Sequence, residues 1–288
     1  MQKKLEYYLK KARKEKWAIG QFNFSELPQM EGIIEAAKKL QAPIILGTSE
    51  GESRFIGLKQ AVALKNSYQA ELGLPIFLNL DHGKSFDYIK KAIDVGYDMV
   101  HFDGSKLPLE ENIALTKEVV KYAGKYGILV EGEVGVISTD ASRIYAGKFE
   151  LKPEDLTKPE DSRQYIKDTA IDLLAISIGN FHGMDDRGNP PLNLKRLKEI
   201  KKVVGETGLV LHGGSGISAK DIKAAIRSGI VKININTELR VAYTETLKET
   251  LEKEPKEITP YKYLPQSVKA VEKVAEEKIK LFGSKNKI

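Results

Sequence analysis

The 288-residue chain has no cysteine. That absence removes disulfides, thiolate metal sites and cysteine nucleophiles together, so a transition-metal site here must be built from His, Asp and Glu. Histidine is scarce as well, and His82, His101, His182 and His212 are the four present. No window approaches an uninterrupted apolar run of about 18 residues, and Met1 to Lys16 mixes charge with Leu, Tyr and Ala at helical spacing. Neither a membrane span nor a signal peptide is expected, and a soluble, cytoplasmic protein is. Aromatic-rich basic motifs are also missing. The net charge of +6 is spread along helical stretches with Glu and Asp interleaved, which reads as a solvated surface and excludes nucleic acid and membrane as expected partners. The small positive excess favours anionic metabolites.

What the chain does have is alternation. Eight short runs rich in β-branched and aliphatic residues occur at 18–24, 43–49, 75–81, 99–103, 128–134, 173–179, 209–212 and 230–236. Between them, stretches such as Leu27 to Leu40, Phe86 to Val95, Glu110 to Tyr126 and Leu194 to Val204 repeat apolar residues every three or four positions. Eight βα units predict an α/β (β/α)8 TIM barrel working at the carboxyl ends of its strands. An open doubly wound sheet has the same periodicity and is the competing architecture. No second domain is evident, so residues 1–288 read as one unit with a C-terminal helical extension over about 241–288. Val136 to Pro159, long and polar, reads as an active-site loop.

Polar residues gather at the ends of these runs: Asn23, Ser49, Asp81 with His82, Asp103, Glu131 and Glu133, Asn180 and His182, His212, then Asn234, Asn236 and Arg240. Three histidines from distant units on one rim suit a catalytic zinc ion with an open coordination position. His101 reads as packing or as support for the others, because Asp103 already occupies its strand end. Asp81 beside His82 suits proton transfer to or from a hydroxyl, with a helix cap as the structural alternative. Asp103 and Glu133 read either as an auxiliary cation site or as groups orienting the histidines. In Leu209 to Gly216, an apolar run ends at His212 and a Gly-Gly-Ser-Gly turn leads into a helical pattern. Backbone N–H groups, the Ser215 hydroxyl and a helix N-terminus would converge there on an anion; a tight turn with a core histidine is the structural alternative. Ser49, Gly213 to Ser215, Asn234, Thr237 and Arg240 form two groups of donors, which suggests a substrate with a phosphate at each end.

Phe22-Asn23, Ser49-Glu50-Gly51, Leu80 to Gly83, Asp103-Gly104-Ser105, Glu131 to Gly135, Ile178 to Gly183, His212 to Gly216 and Lys232 to Thr237 resemble, in order and spacing, the motifs of the class II ketose-bisphosphate aldolases. The resemblance spans nearly the whole chain. It implies zinc-dependent aldol cleavage of fructose 1,6-bisphosphate to dihydroxyacetone phosphate and glyceraldehyde 3-phosphate, with tagatose 1,6-bisphosphate or another ketose phosphate as the alternative. It implies further that His82, His182 and His212 bind the zinc and that Asp81 exchanges the C4 hydroxyl proton. Asp103 and Glu133 would serve a second divalent cation. Gly183, Gly213 and Ser215 would hold the ketose-side phosphate, with a monovalent cation (Na+ or K+) as an auxiliary. Arg240 and Ser49 would meet the far phosphate, and Asn23, Asn234, Asn236 and Thr237 count among the substrate- and phosphate-binding residues. A homodimer or homotetramer is implied as well.

Three positions depart from the family pattern. After Gly135 the family carries Gly-Gly-x-Glu-Asp, whose acid moves the carbon-bound proton, whereas this chain reads Val136-Ile137-Ser138-Thr139-Asp140, leaving Asp140 as the nearby substitute. After Gly183 a lysine is replaced by Met184-Asp185-Asp186-Arg187. Position 236, commonly Asp in fructose enzymes, is Asn236. The altered loop motivates a second class of function, a barrel that keeps the metal site but serves as a partner-binding subunit. A Schiff-base aldolase would need a buried lysine at a strand end, and none is evident in the sequence.

Overall fold

The computed structural model describes residues 3–137, 144–146 and 153–288. Eight strands form the sheet: β1 (Ile19–Asn23), β2 (Ile44–Ser49), β3 (Ile76–Gly83), β4 (Met99–Phe102), β5 (Leu129–Val134), β6 (Leu173–Ile176), β7 (Gly208–Leu211) and β8 (Ile230–Ile235). All neighbours are parallel, and β8 pairs back onto β1 through Ile19 opposite Lys232 and Phe22 opposite Ile235. The sheet is therefore closed, and the open-sheet alternative falls. Among the described residues no helix is long and apolar enough to cross a membrane.

Alternation along the strands divides the interior into layers. At the amino-terminal end Ile19, Ile45, Phe77, Met99, Leu173, Val210 and Val231 point inward and are buried. Helix α1 (Leu5–Glu15) closes that end with Leu5, Tyr8, Leu9 and Ala12, which recur at helical spacing on one face. Two positions further along β1, β3, β4 and β5, and one position beyond Val231 in β8, where the pairing with β7 shifts register, the residues turn polar: Gln21, Asn79, His101, Glu131 and Lys232 are all 0% exposed. Burying such groups is tolerable only if they satisfy one another. They do so in part: Asn79 Nδ2 donates to Gln21 Oε1 at 2.8 Å, and Lys232 Nζ to Glu131 Oε2 at 2.7 Å. The apolar floor thus supports a polar layer, and the candidate site stands on that layer.

The outer ring comprises α2 (Leu27–Leu40), α3 (Glu50–Ile56), α4 (Leu58–Leu72), α5 (Phe86–Val95), α6 (Leu109–Gly124), α7 (Pro159–Thr169), α8 (Leu194–Val203) and α9 (Ala219–Arg227). Beyond β8 come α10 (Thr237–Lys253), the single turn α11 (Pro260–Tyr263) and α12 (Pro265–Phe282). Helix α12 packs on α2 where Gly32 lets it approach, since a Cβ there would stand 2.6 Å from the Val268 carbonyl oxygen. Helix α10 starts at Thr237, four residues before the helical pattern becomes legible, which places Thr237 and Arg240 in its first turn. The long connection after β5 contributes Ile144–Tyr145, which pairs in parallel with Met184–Asp185. Asp140 lies outside the described residues.

Candidate active site

The residues expected to bind metal or substrate or, like Asp81, to move a proton, Asp140 excepted, line one cavity of about 680 Å³ at the carboxyl ends of the strands, whereas Glu131, Asn180 and Gly214 lie outside its lining. Its shape begins at β3. Strict alternation would send Asp81 and His82 to opposite faces, yet both face the cavity because His82 takes a left-handed backbone, φ 51°. The pairing of β3 with β4 shifts register between Leu80 and Gly83 at the same point. A non-glycine residue held there stores strain, of the kind that accompanies a constrained side chain.

The three expected histidines meet. Ring centroids lie 4.6 Å apart for His82 and His182, 4.6 Å for His82 and His212, and 5.9 Å for His182 and His212. His82 Nε2 is 3.0 Å from His212 Nδ1, and Asp81 Oδ1 stands 4.0 and 3.9 Å from those two nitrogens. Two nitrogens on a tetrahedral zinc ion, each at about 2.0–2.1 Å, would be about 3.3 Å apart, so the observed pair fits one ion with a small adjustment. His212 Nε2 faces Glu131 Oε1 at 2.6 Å, which places the proton on Nε2 and turns the Nδ1 lone pair toward the cavity.

His101 sits one layer deeper. It shares the inward face with Asp103, two positions on, but is fully buried and outside the cavity lining. Its ring lies 4.7 Å from His82 and 4.8 Å from His212, and its Nδ1 accepts the His82 backbone N–H at 3.2 Å. It is therefore packed beneath the cavity, yet its ring nitrogen lies close enough to Asp81, His82 and His212 for the four to hold an ion, which the expected packing or supporting role did not include. Asp103 Oδ2 meets His82 Nδ1 at 3.0 Å, and Glu133 Oε2 lies 3.8 Å from that nitrogen. Glu133 Oε2 is buried without a hydrogen bond, and with His82 and Asp103 it forms one of two groups able to hold a cation among the described residues; the other brings together Asp81, His82, His101 and His212, with the His182 ring beside it.

The electrostatics follow from this crowding. Burial would push the Asp81 carboxyl up, but His82, His212, Lys232 and His101 outweigh it and hold the group well below the usual carboxylate range. Burial also opposes charge on His82; Asp81, Asp103 and Glu133 prevail and raise it. Burial lowers His212, against the pull of Glu131. The carboxylates around His82 thus favour its protonated form, while burial favours the neutral form of His212.

Asp81 is fixed by two amides, Asn23 Nδ2 on Oδ2 at 2.9 Å and Asn234 Nδ2 on Oδ1 at 3.0 Å. Across the cavity, the turn after β7 requires glycine: Gly213 has φ 60°, and a Cβ would stand 2.0 Å from the Phe181 carbonyl oxygen, beside His182. The turn is tied to α10 by Glu238, whose N–H donates to Ser215 Oγ at 3.3 Å and whose Oε1 accepts from Gly216 N at 2.9 Å. Ser215 therefore lies at the positive end of a 17-residue helix.

Two residues escaped the sequence reading. A buried lysine does exist: Lys232, 0% exposed, is bonded to Glu131 and, at 2.9 Å, to Asn234 Oδ1, beneath the cavity and outside its lining. Glu52, 5% exposed, pairs with Arg240 at 2.6 Å. Inward alternation along β8 could have exposed the first. The second sits on a short helix whose face is not readable from its neighbours.

Comparison with known proteins gives a consistent result. The family model for "Fructose-bisphosphate aldolase class-II" matches residues 3–287. The chain is 37% identical over 279 residues to a fructose-bisphosphate aldolase of Staphylococcus aureus (strain Mu50), covering 96% of this chain and 95% of the relative. It is 38% identical over 282 residues to the 6-phospho-5-dehydro-2-deoxy-D-gluconate aldolase of Bacillus subtilis (strain 168), covering 97% and 94%. The crystal structure of the YdjI aldolase from Escherichia coli K12 superposes with a TM-score of 0.85 at 32% identity, over 100% of this chain and 99% of that one.

Proposed function

The chain belongs to the class II fructose-bisphosphate aldolase family, and from that membership we propose reversible aldol cleavage of a phosphorylated ketose, with fructose 1,6-bisphosphate as the leading substrate. The products would be dihydroxyacetone phosphate and glyceraldehyde 3-phosphate. The supporting observation is the meeting of His82, His182 and His212 beside Asp81 and across from a glycine turn at a helix N-terminus. The three imidazoles would hold zinc, which supplies Lewis-acid polarisation of the ketose carbonyl when bound.

The chain's own residues would do the rest. Asp81, held at both oxygens by Asn23 and Asn234, takes the C4 hydroxyl proton as the C3–C4 bond breaks. The C4 oxygen becomes the aldehyde, and the electron pair of the broken bond stays with the ketose-side fragment. That fragment takes up a proton at C3, a transfer we assign to Asp140 on sequence grounds. Ser215 and the N–H groups near Gly183 and Gly213 bind the ketose-side phosphate. Asp103 and Glu133 would take an auxiliary cation. Tagatose 1,6-bisphosphate or another ketose phosphate remains the second reading, favoured by Asn236 in place of the usual acid and by the gluconate-named relative.

Assay of both bisphosphates after chelation, and again after zinc is restored, tests the proposal. Cleavage should vanish and return. Full activity in verified metal-free protein, or covalent trapping of substrate by borohydride, would refute it.

A further inference from the structure

Glu52 lies in the first turn of α3, behind the cavity wall, and four donors converge on its carboxylate. Ser49 N–H at 2.7 Å and Asn23 Nδ2 at 3.0 Å meet Oε2, while Arg240 Nη2 at 2.6 Å and Asn236 Nδ2 at 3.3 Å meet Oε1. The placement is secured locally, since Ser49 and Glu52 form a reciprocal capping box at the start of α3. All four donors belong to residues that line the cavity, and three of them, Asn23, Asn236 and Arg240, donate from side chains, so one buried carboxylate sets the orientation of three cavity side chains.

Two consequences follow. First, Asn236 turns its amide nitrogen to Glu52, and its Oδ1 is left buried without a partner. With its amide nitrogen engaged by Glu52 and its oxygen occluded, Asn236 offers no free amide donor to an anion at that end of the pocket. Second, among the described residues the two arginines lining the cavity are already matched by carboxylates of α3: Arg240 by Glu52, and Arg54 by Glu50 at 3.2 Å. A guanidinium facing a carboxylate at hydrogen-bond distance has much of its field cancelled, more fully where the carboxylate is buried. The Gly213 to Ser215 end, by contrast, offers the positive end of α10.

We propose that Glu52 is a specificity-determining positioning residue: by holding Arg240 and Asn236 it opens the far end of the pocket to a sugar that ends in a hydroxyl as well as to one that ends in a phosphate. The substrate class is then ketose 1-phosphates alongside ketose 1,6-bisphosphates. This rests on the aldolase reading of the site, and it concerns only the end of the substrate remote from the cradle.

The test is the ratio of kcat/KM for fructose 1,6-bisphosphate to that for fructose 1-phosphate, measured on zinc-loaded protein, or the same ratio for the tagatose pair if that is the sugar cleaved. The parent should cleave both members of the pair. Glu52→Gln keeps the shape but removes the charge, so it should raise the ratio about tenfold, mainly through KM of the bisphosphate. Lys84 and Lys106, which also line the cavity, are present in both proteins and drop out of the comparison. A ratio unchanged within about twofold, with both substrates weakened together, would show a merely structural role and overturn the proposal. If Glu52→Gln does not fold, Arg240→Gln decides. Removing an already matched arginine should lower the ratio by less than about tenfold, whereas a fall beyond about a hundredfold would show a free cation and overturn the proposal. A parent that cleaves neither member of either pair sinks the aldolase reading itself, whatever the Glu52 variants do.

Discussion

Replacing Lys232 with Met tests whether the polar layer under the site is held together by charge. Lys232 and Glu131 are both 0% exposed and 2.7 Å apart, and Glu131 Oε1 also carries His212 Nε2 at 2.6 Å. Lys232→Met would leave a carboxylate in the barrel interior without its counter-ion, a loss of about 3–5 kcal/mol. That is a large fraction of the roughly 5–15 kcal/mol available to a folded domain, so the variant should fold but be much weakened. For 288 residues the melting temperature should drop by about 5–8 °C. Adding Glu131→Gln removes the stranded charge and still leaves an oxygen for His212, so the double variant should recover about 2 kcal/mol or more. Urea unfolding of metal-free parent, both single variants and the double variant gives the coupling directly. Zinc affinity supplies an independent readout: loosening Glu131 loosens His212, and affinity should fall about 10- to 100-fold. A Lys232→Met cost below about 1 kcal/mol, or simple additivity in the cycle, would refute the reasoning.

Other outcomes follow from the same geometry. Asp81→Asn keeps the shape but cannot accept the hydroxyl proton, so kcat should fall about 10²- to 10⁴-fold with metal content unchanged by elemental analysis; equal activity would remove Asp81 from the chemistry. Gly213→Ala forces a Cβ to 2.0 Å from the Phe181 carbonyl oxygen at a positive φ. It should destabilise by about 1–3 kcal/mol in thermal unfolding and raise KM by moving the turn; a neutral result would mean the turn tolerates displacement. The pH dependence of metal binding has a definite sign. His82 is raised in the metal-free protein by Asp81, Asp103 and Glu133 against burial, so it holds a proton that a metal must displace. Apparent affinity should therefore fall about tenfold per unit as pH decreases below the raised value. Calorimetry in buffers of different ionisation enthalpy should show about one proton released per ion near pH 7, and no release would contradict the assignment.

The strands were legible because each is buried on both faces and so reads as a short apolar run; α2 and α5 were legible to the residue because their amphipathic patterns end at strong stops. Less legible were the turns that aim side chains. β3 was expected to end at Asp81 but runs to Gly83, and the left-handed backbone at His82 comes from packing and ligation geometry, which no local propensity encodes. Lys232 hid within an apolar strand because its partner, Glu131, is 101 residues away. Glu52 hid for the same reason, its Arg240 being 188 residues distant. The motifs located the histidines, the carboxylates and the glycine turn; the charge pairing among them needed three dimensions.

The proposed chemistry requires three imidazoles that share one ion. Crystals of the protein soaked in zinc and measured at the zinc absorption edge should show a single strong anomalous peak in the cavity, about 2.0–2.1 Å from one nitrogen each of His82, His182 and His212. A peak elsewhere on the chain, or a cavity ion bound by fewer than two of those three side chains, would contradict it.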